Sequence, residues 1–196
     1  TVVAPEANCS GFSNSITINK PVNMREAQTE EYLPNESDLF GARSPLVYIV
    51  SGTPVDCTYL ALNTIFRNSF PDFIISGINQ GENLAEDTLY SGTVGAAMEG
   101  FLFGVPSIAI SQQLMPSDMR FLKASAELFN QIFNKIVSDI SNGIYQSNNL
   151  LLNINIPHFS DQSNLPTDVK FTRLGRRQRA KVPIEMPSQA GIGTDY

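Results

Sequence analysis

The segment from Asp72 to Gly100, D-F-I-I-S-G-I-N-Q-G-E-N-L-A-E-D-T-L-Y-S-G-T-V-G-A-A-M-E-G, constrains the fold more than any other part of the chain. Its apolar run from Phe73 to Ile75, bounded by turn signals, reads as a buried strand. Ser76 to Gly92 reads as a polar, glycine-punctuated loop, and Thr93 opens a small-residue helix over Val94 to Gly100. A strand that feeds a helix N-terminus in this way presents unpaired backbone donors and the positive end of the helix dipole. Gly92, Thr93 and Val94 would supply N–H groups, Ser91 and Thr93 hydroxyls, and Asn79 a carbonyl oxygen for a hard cation. A plain loop with a capped helix satisfies the same local pattern. An anion cradle beside a cation ligand suggests phosphate chemistry.

The rest of the chain repeats the alternation. Thr1 to Ala4 reads as the end of a strand, Ser15 to Val22 as extended, and Leu46 to Val50 as a further buried strand. Thr53, Pro54 and Asp56 make a helix start with a cap, a first-turn proline and an acid at the third position, and the helix is expected to run to about Arg67. Met24 to Ser44 is charged and turn-prone, with a mobile loop expected over Leu33 to Arg43. Ser107 to Ser111 reads as a strand. Apolar residues then recur at three and four positions from Phe121 to Ile140, which predicts a helix over Ser117 to Asn142 ended by Gly143, before a strand at Leu150 to Ile156. Such alternation predicts an α/β fold: a three-layer, Rossmann-like core with a mostly parallel sheet, spanning residues 1–158, and a less regular, extended C-terminal arm over 159–196. Leu46–Val50, Phe73–Ile75 and Ser107–Ser111 are expected in one sheet. Val169 to Leu174 alternates like an edge strand, and Arg173, Arg176, Arg177, Arg179 and Lys181 form a basic turn.

Composition narrows the function classes. With 42% hydrophobic and 16% charged residues the chain is globular rather than disordered. A net charge of −6 with scattered acids argues against binding a nucleic-acid polymer, though not a single nucleotide. The longest apolar stretch, Phe101 to Ile110, is too short for a bilayer and is broken by Pro106, so no membrane role is expected. Cys9 and Cys57 do not make a disulfide framework, which points to a reducing, cytoplasmic setting.

Four segments together carry a likeness to a known family: V-V-A-P-E-A-N-C-S-G-F-S-N-S-I-T at Val2–Thr17, G-T-P-V-D-C-T-Y-L-A-L at Gly52–Leu62, the Asp72–Gly100 stretch, and G-I-G-T-D-Y at Gly191–Tyr196. In this order they resemble the SurE family of metal-dependent 5′-nucleotidases and phosphatases. The resemblance implies hydrolysis of nucleoside 5′-monophosphates with Mg²⁺ or Mn²⁺. It also implies a homodimer or homotetramer, with the C-terminal arm used in oligomerisation. It makes Ser10 and Asn79 metal ligands, and Asn14, Ser91, Gly92 and Thr93 phosphate-binding residues. The family begins with a strand and an N-D-D-G turn whose aspartates are its metal ligands and its base or nucleophile. No counterpart stands in these 196 residues. The sequence therefore reads as an internal piece of a longer protein, and no residue of it is assigned a catalytic role.

Other chemistries fit less well. A tyrosine-phosphatase loop from Cys9 needs Arg six residues on, where Ser15 stands, and no P-loop or G-x-G-x-x-G element follows a strand. His158 has no G-x-S-x-G partner and reads as a packing or surface histidine. Asp87 is expected to hold its loop, Glu82 to face solvent, and Asp56 to serve as a helix-start acid. Two rivals to the phosphatase remain: a non-catalytic nucleotide- or anion-binding module, and a structural oligomer built on the arm from Val169 to Tyr196.

Overall fold

The computed structural model describes residues 1–27, 45–113, 119–159, 164–176, 186–187 and 194–195. Its elements are β1 (Val2–Pro5), β2 (Met24–Ala27), β3 (Val47–Val50), α1 (Pro54–Asn63), β4 (Ile74–Gln80), α2 (Asp87–Tyr90), α3 (Gly92–Leu102), β5 (Ser107–Gln112), α4 (Met119–Ser141) and β6 (Leu151–Ile156). Two-residue strands β7 (Met186–Pro187) and β8 (Thr194–Asp195) pair antiparallel. The expected loop at Leu33–Arg43, and Arg177, Arg179 and Lys181 of the basic turn, lie outside the described residues.

The α/β class holds, but the strands divide into two sheets. One has the order β1-β3-β2, with β1 parallel and β2 antiparallel to β3; the other has the order β4-β5-β6, all parallel. The expectation that Leu46–Val50 shares a sheet with Phe73–Ile75 and Ser107–Ser111 is therefore corrected. Strand–helix alternation favours parallel neighbours, but it does not require every crossover to return to the same sheet. Here β1 pairs only with β3, and β4 only with β5, among the described residues. Helix α3 packs against α1, β4 and β5 and so ties the two halves together.

Strand β5 is buried along its whole length and centres the second half. Ile108 and Ile110 pack with Ile136, Ala124 and the Phe129 side of α4, whose apolar residues recur with the helical period. On the other side, Ser107 lies so close to α3 that a Cβ on Gly100 would stand 2.6 Å from its hydroxyl. Helix α4 ends as expected at Gly143, in the left-handed region at φ 73°, with the Ile144 N–H donating to the Asp139 carbonyl.

Local differences have local causes. Helix α1 stops at Asn63 rather than near Arg67, where the Thr64 hydroxyl competes for the Leu60 carbonyl. Ser15–Val22 forms no strand, because the Thr17 N–H and hydroxyl donate to the Asp56 carboxylate instead of a ladder. Met24–Ala27, within the turn-prone stretch, is the strand β2 that edges β3. Residues 165–176 contain no strand, so the alternation at Val169–Leu174 is not an edge strand. Strand β4 continues through Gly77 to Gln80, turning Ser76–Gln80 from loop into strand, with a register shift between Ser76 and Asn79. Only glycine suits that point: Gly77 has φ 125°, and a Cβ there would sit 2.2 Å from the Ile110 carbonyl oxygen.

Candidate functional site

A cavity of about 490 Å³ opens where the loop after β1, the carboxyl end of β4 and the N-terminus of α3 meet. Ser10, Asn79, Ser91, Gly92 and Thr93 all line it. Asn14 does not line it; its backbone instead presses on α3 at Gly95, where a Cβ would lie 3.1 Å from the Asn14 Cα.

The α3 end of the cavity is set by Ser91. Its backbone is extended (φ −77°, ψ 121°) and its hydroxyl oxygen accepts from the Val94 N–H at 3.1 Å, so Ser91 is the N-cap and Gly92 the first helical residue. The helix thus starts one residue before the expected Thr93, because two hydroxyl residues flank a glycine and only the backbone angles decide between them. The Val94 donor is consumed by the cap. Gly92 and Thr93 keep first-turn N–H groups that no carbonyl of their own helix can accept. Gly92 also lets this end approach α1, since a Cβ would come within 2.8 Å of the Pro54 ring.

The loop after β1 is folded on itself and pinned on both sides. The Ser10 N–H donates to Asn8 Oδ1 at 2.9 Å, and Gly11 and Ser13 both take positive φ. Ser13 donates its N–H to the Tyr90 carbonyl and its hydroxyl to the Leu89 carbonyl, stitching the loop to the end of α2. Further on, the Thr53 hydroxyl donates to the Ser15 carbonyl and Asp56 accepts twice from Thr17. Burial by itself would raise the Asp56 carboxyl, but the hydrogen bonds from Thr17 and Thr53 outweigh it and hold the group below the usual carboxylate range. Asp56 is thus a buried anchor, in keeping with its reading as a helix-start acid.

Asn79 is the penultimate residue of β4, opposite Ser111. Its amide Nδ2 donates to the Gly81 carbonyl at 2.8 Å, and the Gly81 N–H donates to the Gln112 carbonyl. The amide end is committed, which leaves the side-chain carbonyl oxygen as the free donor to a cation.

Asn83, which the sequence reading passed over, holds the next turn. It is buried, its Nδ2 donates to the Ser111 hydroxyl, its N–H to Asn155 Oδ1, and its carbonyl accepts from Asn153 and Asn155. A polar residue between Gly-Glu and Leu carries no local mark of such burial. Its partners are some 30 to 70 residues away.

Glu82 and Asp87 also line the cavity, with Glu82 partly exposed. Cys9 lines it too, while burial first, and then the Asp56 carboxylate and Cys9, push the Cys57 thiol up to about 12, leaving it an inert core residue. His158 is exposed, and its N–H donates to Gln113 Oε1. Among the described residues no group of three or more His, Cys, Asp or Glu side chains is placed to hold a metal ion.

The family model described as "Survival protein SurE" matches residues 1–181. The chain belongs to the SurE family. Its structure is similar to the crystal structure of the SurE protein from Aquifex aeolicus, with 33% sequence identity and a TM-score of 0.70, over 97% of this chain and 67% of that one. SurE proteins are in general divalent-metal-dependent phosphatases or nucleotidases. No helix among the described residues is long and apolar enough to cross a membrane.

Proposed function

We propose that the protein is a divalent-metal-dependent phosphomonoesterase that hydrolyses nucleoside 5′-monophosphates to nucleoside and phosphate. One observation carries this reading: two neutral oxygen donors, Ser10 and Asn79, line the same cavity as the helix-start donors of Ser91 to Thr93. Phosphate needs both, donors for its equatorial oxygens and a cation against its charge.

Hard, neutral oxygens suit Mg²⁺ or Mn²⁺, and the hydrogen bond from Asn79 to Gly81 leaves the correct end of that amide for such an ion. When bound, the cation would supply Lewis-acid polarisation of a phosphoryl oxygen. The chain's own part is to hold the phosphate. Gly92 and Thr93 offer backbone N–H groups, the Thr93 hydroxyl offers another donor, and Ser91 keeps its hydroxyl proton available while its oxygen caps α3. Asn14, outside the cavity lining, would act through its contact with α3.

The test is phosphate release from a nucleoside 5′-monophosphate by the full-length protein, with Mg²⁺ or Mn²⁺ present. Thr93→Val removes only a hydroxyl and, because Ser91 is the cap, should leave the melting temperature unchanged. Turnover should drop about tenfold, or ~1.4 kcal/mol of transition-state stabilisation. Unchanged turnover in the folded variant would place the phosphate elsewhere. The second reading is a non-catalytic nucleotide- or anion-binding module, which the helix-start donors of Gly92 and Thr93 would serve by themselves. It predicts saturable nucleotide binding with no phosphate release at any metal concentration.

We also propose a core over residues 1–158, an arm over 159–196 that joins copies into a homodimer or homotetramer, and a cytoplasmic location. Val169, Phe171 and Leu174 stand exposed on that arm, Phe171 at 82%. Light scattering should return a dimer or tetramer, and a monomer would reject the assembly.

A further inference from the structure

The cavity is larger than a phosphate needs, and one aromatic residue lines it beside the cradle. Tyr90 immediately precedes the cap Ser91 and lines the cavity, yet it is 61% exposed. Among the described residues its ring stacks on no other ring and its hydroxyl has no hydrogen-bond partner. Its backbone is fixed nonetheless, because the Tyr90 carbonyl accepts from the Ser13 N–H at 2.9 Å and the Leu89 carbonyl accepts from the Ser13 hydroxyl. Phe12, one residue before that stitch, and Leu89 beside Tyr90 are exposed as well, but neither lines the cavity.

A large aromatic side chain held in water gains nothing for the fold. Held on a pinned backbone at the mouth of an anion cradle, it offers a flat apolar face to whatever the phosphate carries. We infer that Tyr90 is a specificity-determining residue that stacks on the base of a bound nucleoside 5′-monophosphate, selecting phosphomonoesters whose leaving group bears a planar ring. This inference rests on the phosphomonoesterase reading above. Stacking tolerates any base, since each has a π-face, so it predicts preference for nucleotides as a class over bare sugar phosphates.

The test compares a nucleoside 5′-monophosphate with ribose 5-phosphate, which shares the sugar and phosphate but lacks the base. In the full-length protein, Tyr90→Ala should lower kcat/KM for the nucleotide about tenfold, chiefly through KM. Ribose 5-phosphate should be hydrolysed as by the unaltered protein, and Tyr90→Phe should keep the nucleotide preference. Equal losses on both substrates would make Tyr90 a positioning residue for the cradle, and no loss on either would remove it from recognition; both overturn the inference. A drop in particle mass with both rates intact would assign the ring to a second copy of the chain, with the same consequence. If the unaltered protein releases no phosphate from any ester, the phosphatase reading fails by itself. Calorimetric binding of the two ligands to Tyr90→Ala then decides the stacking role: selective loss of the nucleotide supports it, and equal affinities in variant and unaltered protein overturn it.

Discussion

Asp56→Ala is expected to lower the stability of the protein by about 3 kcal/mol, a large fraction of what a domain of this size has. The Asp56 side chain is buried and accepts from the Thr53 N–H at 2.8 Å, the Thr17 N–H at 2.9 Å and the Thr17 hydroxyl at 2.6 Å. Alanine strands all three donors and removes half of the capping box that starts α1. It also frees the loop that carries Ser10, so turnover should fall together with stability. The pH dependence follows from the sign of the shift. The hydrogen bonds favour the ionised carboxylate and hold its folded-state pKa below the unfolded value, so around pH 4 the unfolded chain binds more protons. The contribution of Asp56 is complete above that range and is lost as pH falls through the lower, folded value. Thermal melts between pH 7 and pH 3 should show the unaltered protein losing more stability on acidification than Asp56→Ala. Parallel curves for the two proteins would mean that Asp56 is not held ionised by its partners.

What the sequence made legible is what lies within a few residues along the chain. The capping box from Thr53 to Asp56 spans one helical turn, and α4 announces itself by a period that its own residues display. What it hid depends on distant partners. Nothing near Thr17 says that its donors go to Asp56, 39 residues on, so an alternating stretch read as extended structure forms no strand. Gly77 reads as a loop residue, yet it keeps β4 in the sheet by making room for the Ile110 carbonyl. The division into two sheets rests on pairings that no single segment records. The site was legible in a different way. Ser10, Asn79 and Ser91 to Thr93 came from motif likeness and strand–loop–helix grammar, and the structure brings them to one cavity while leaving Asn14 outside it. Asn83 and Tyr90 were missed because burial in one case and isolation in the other are properties of the folded surface.

Asn79→Ala should cost the full-length protein about a hundredfold in turnover at limiting Mn²⁺, or ~2.7 kcal/mol. Strand β4 delivers this residue to the cavity in register with Ser111, and the Gly81 carbonyl takes up its amide donor, so the lost atom that matters is the side-chain carbonyl oxygen. With Ser10 as the other proposed donor on this chain, a cation would lose one of two protein oxygens supplied here, and its affinity should weaken accordingly. The stability cost should stay near 1 kcal/mol, the worth of one partly exposed hydrogen bond, because Asn79 lies in the last two residues of β4. Asn79→Asp makes the comparison sharper. The carboxylate restores an oxygen and adds charge that favours the cation, while it can no longer donate to Gly81 and faces that carbonyl as an acceptor. Calorimetric titration with Mn²⁺ should therefore rank the aspartate variant well above the alanine variant, independently of turnover. Equal Mn²⁺ affinity in the alanine variant and the unaltered protein, with both folded, would show that the cation is held elsewhere and that Asn79 only closes the turn through Gly81.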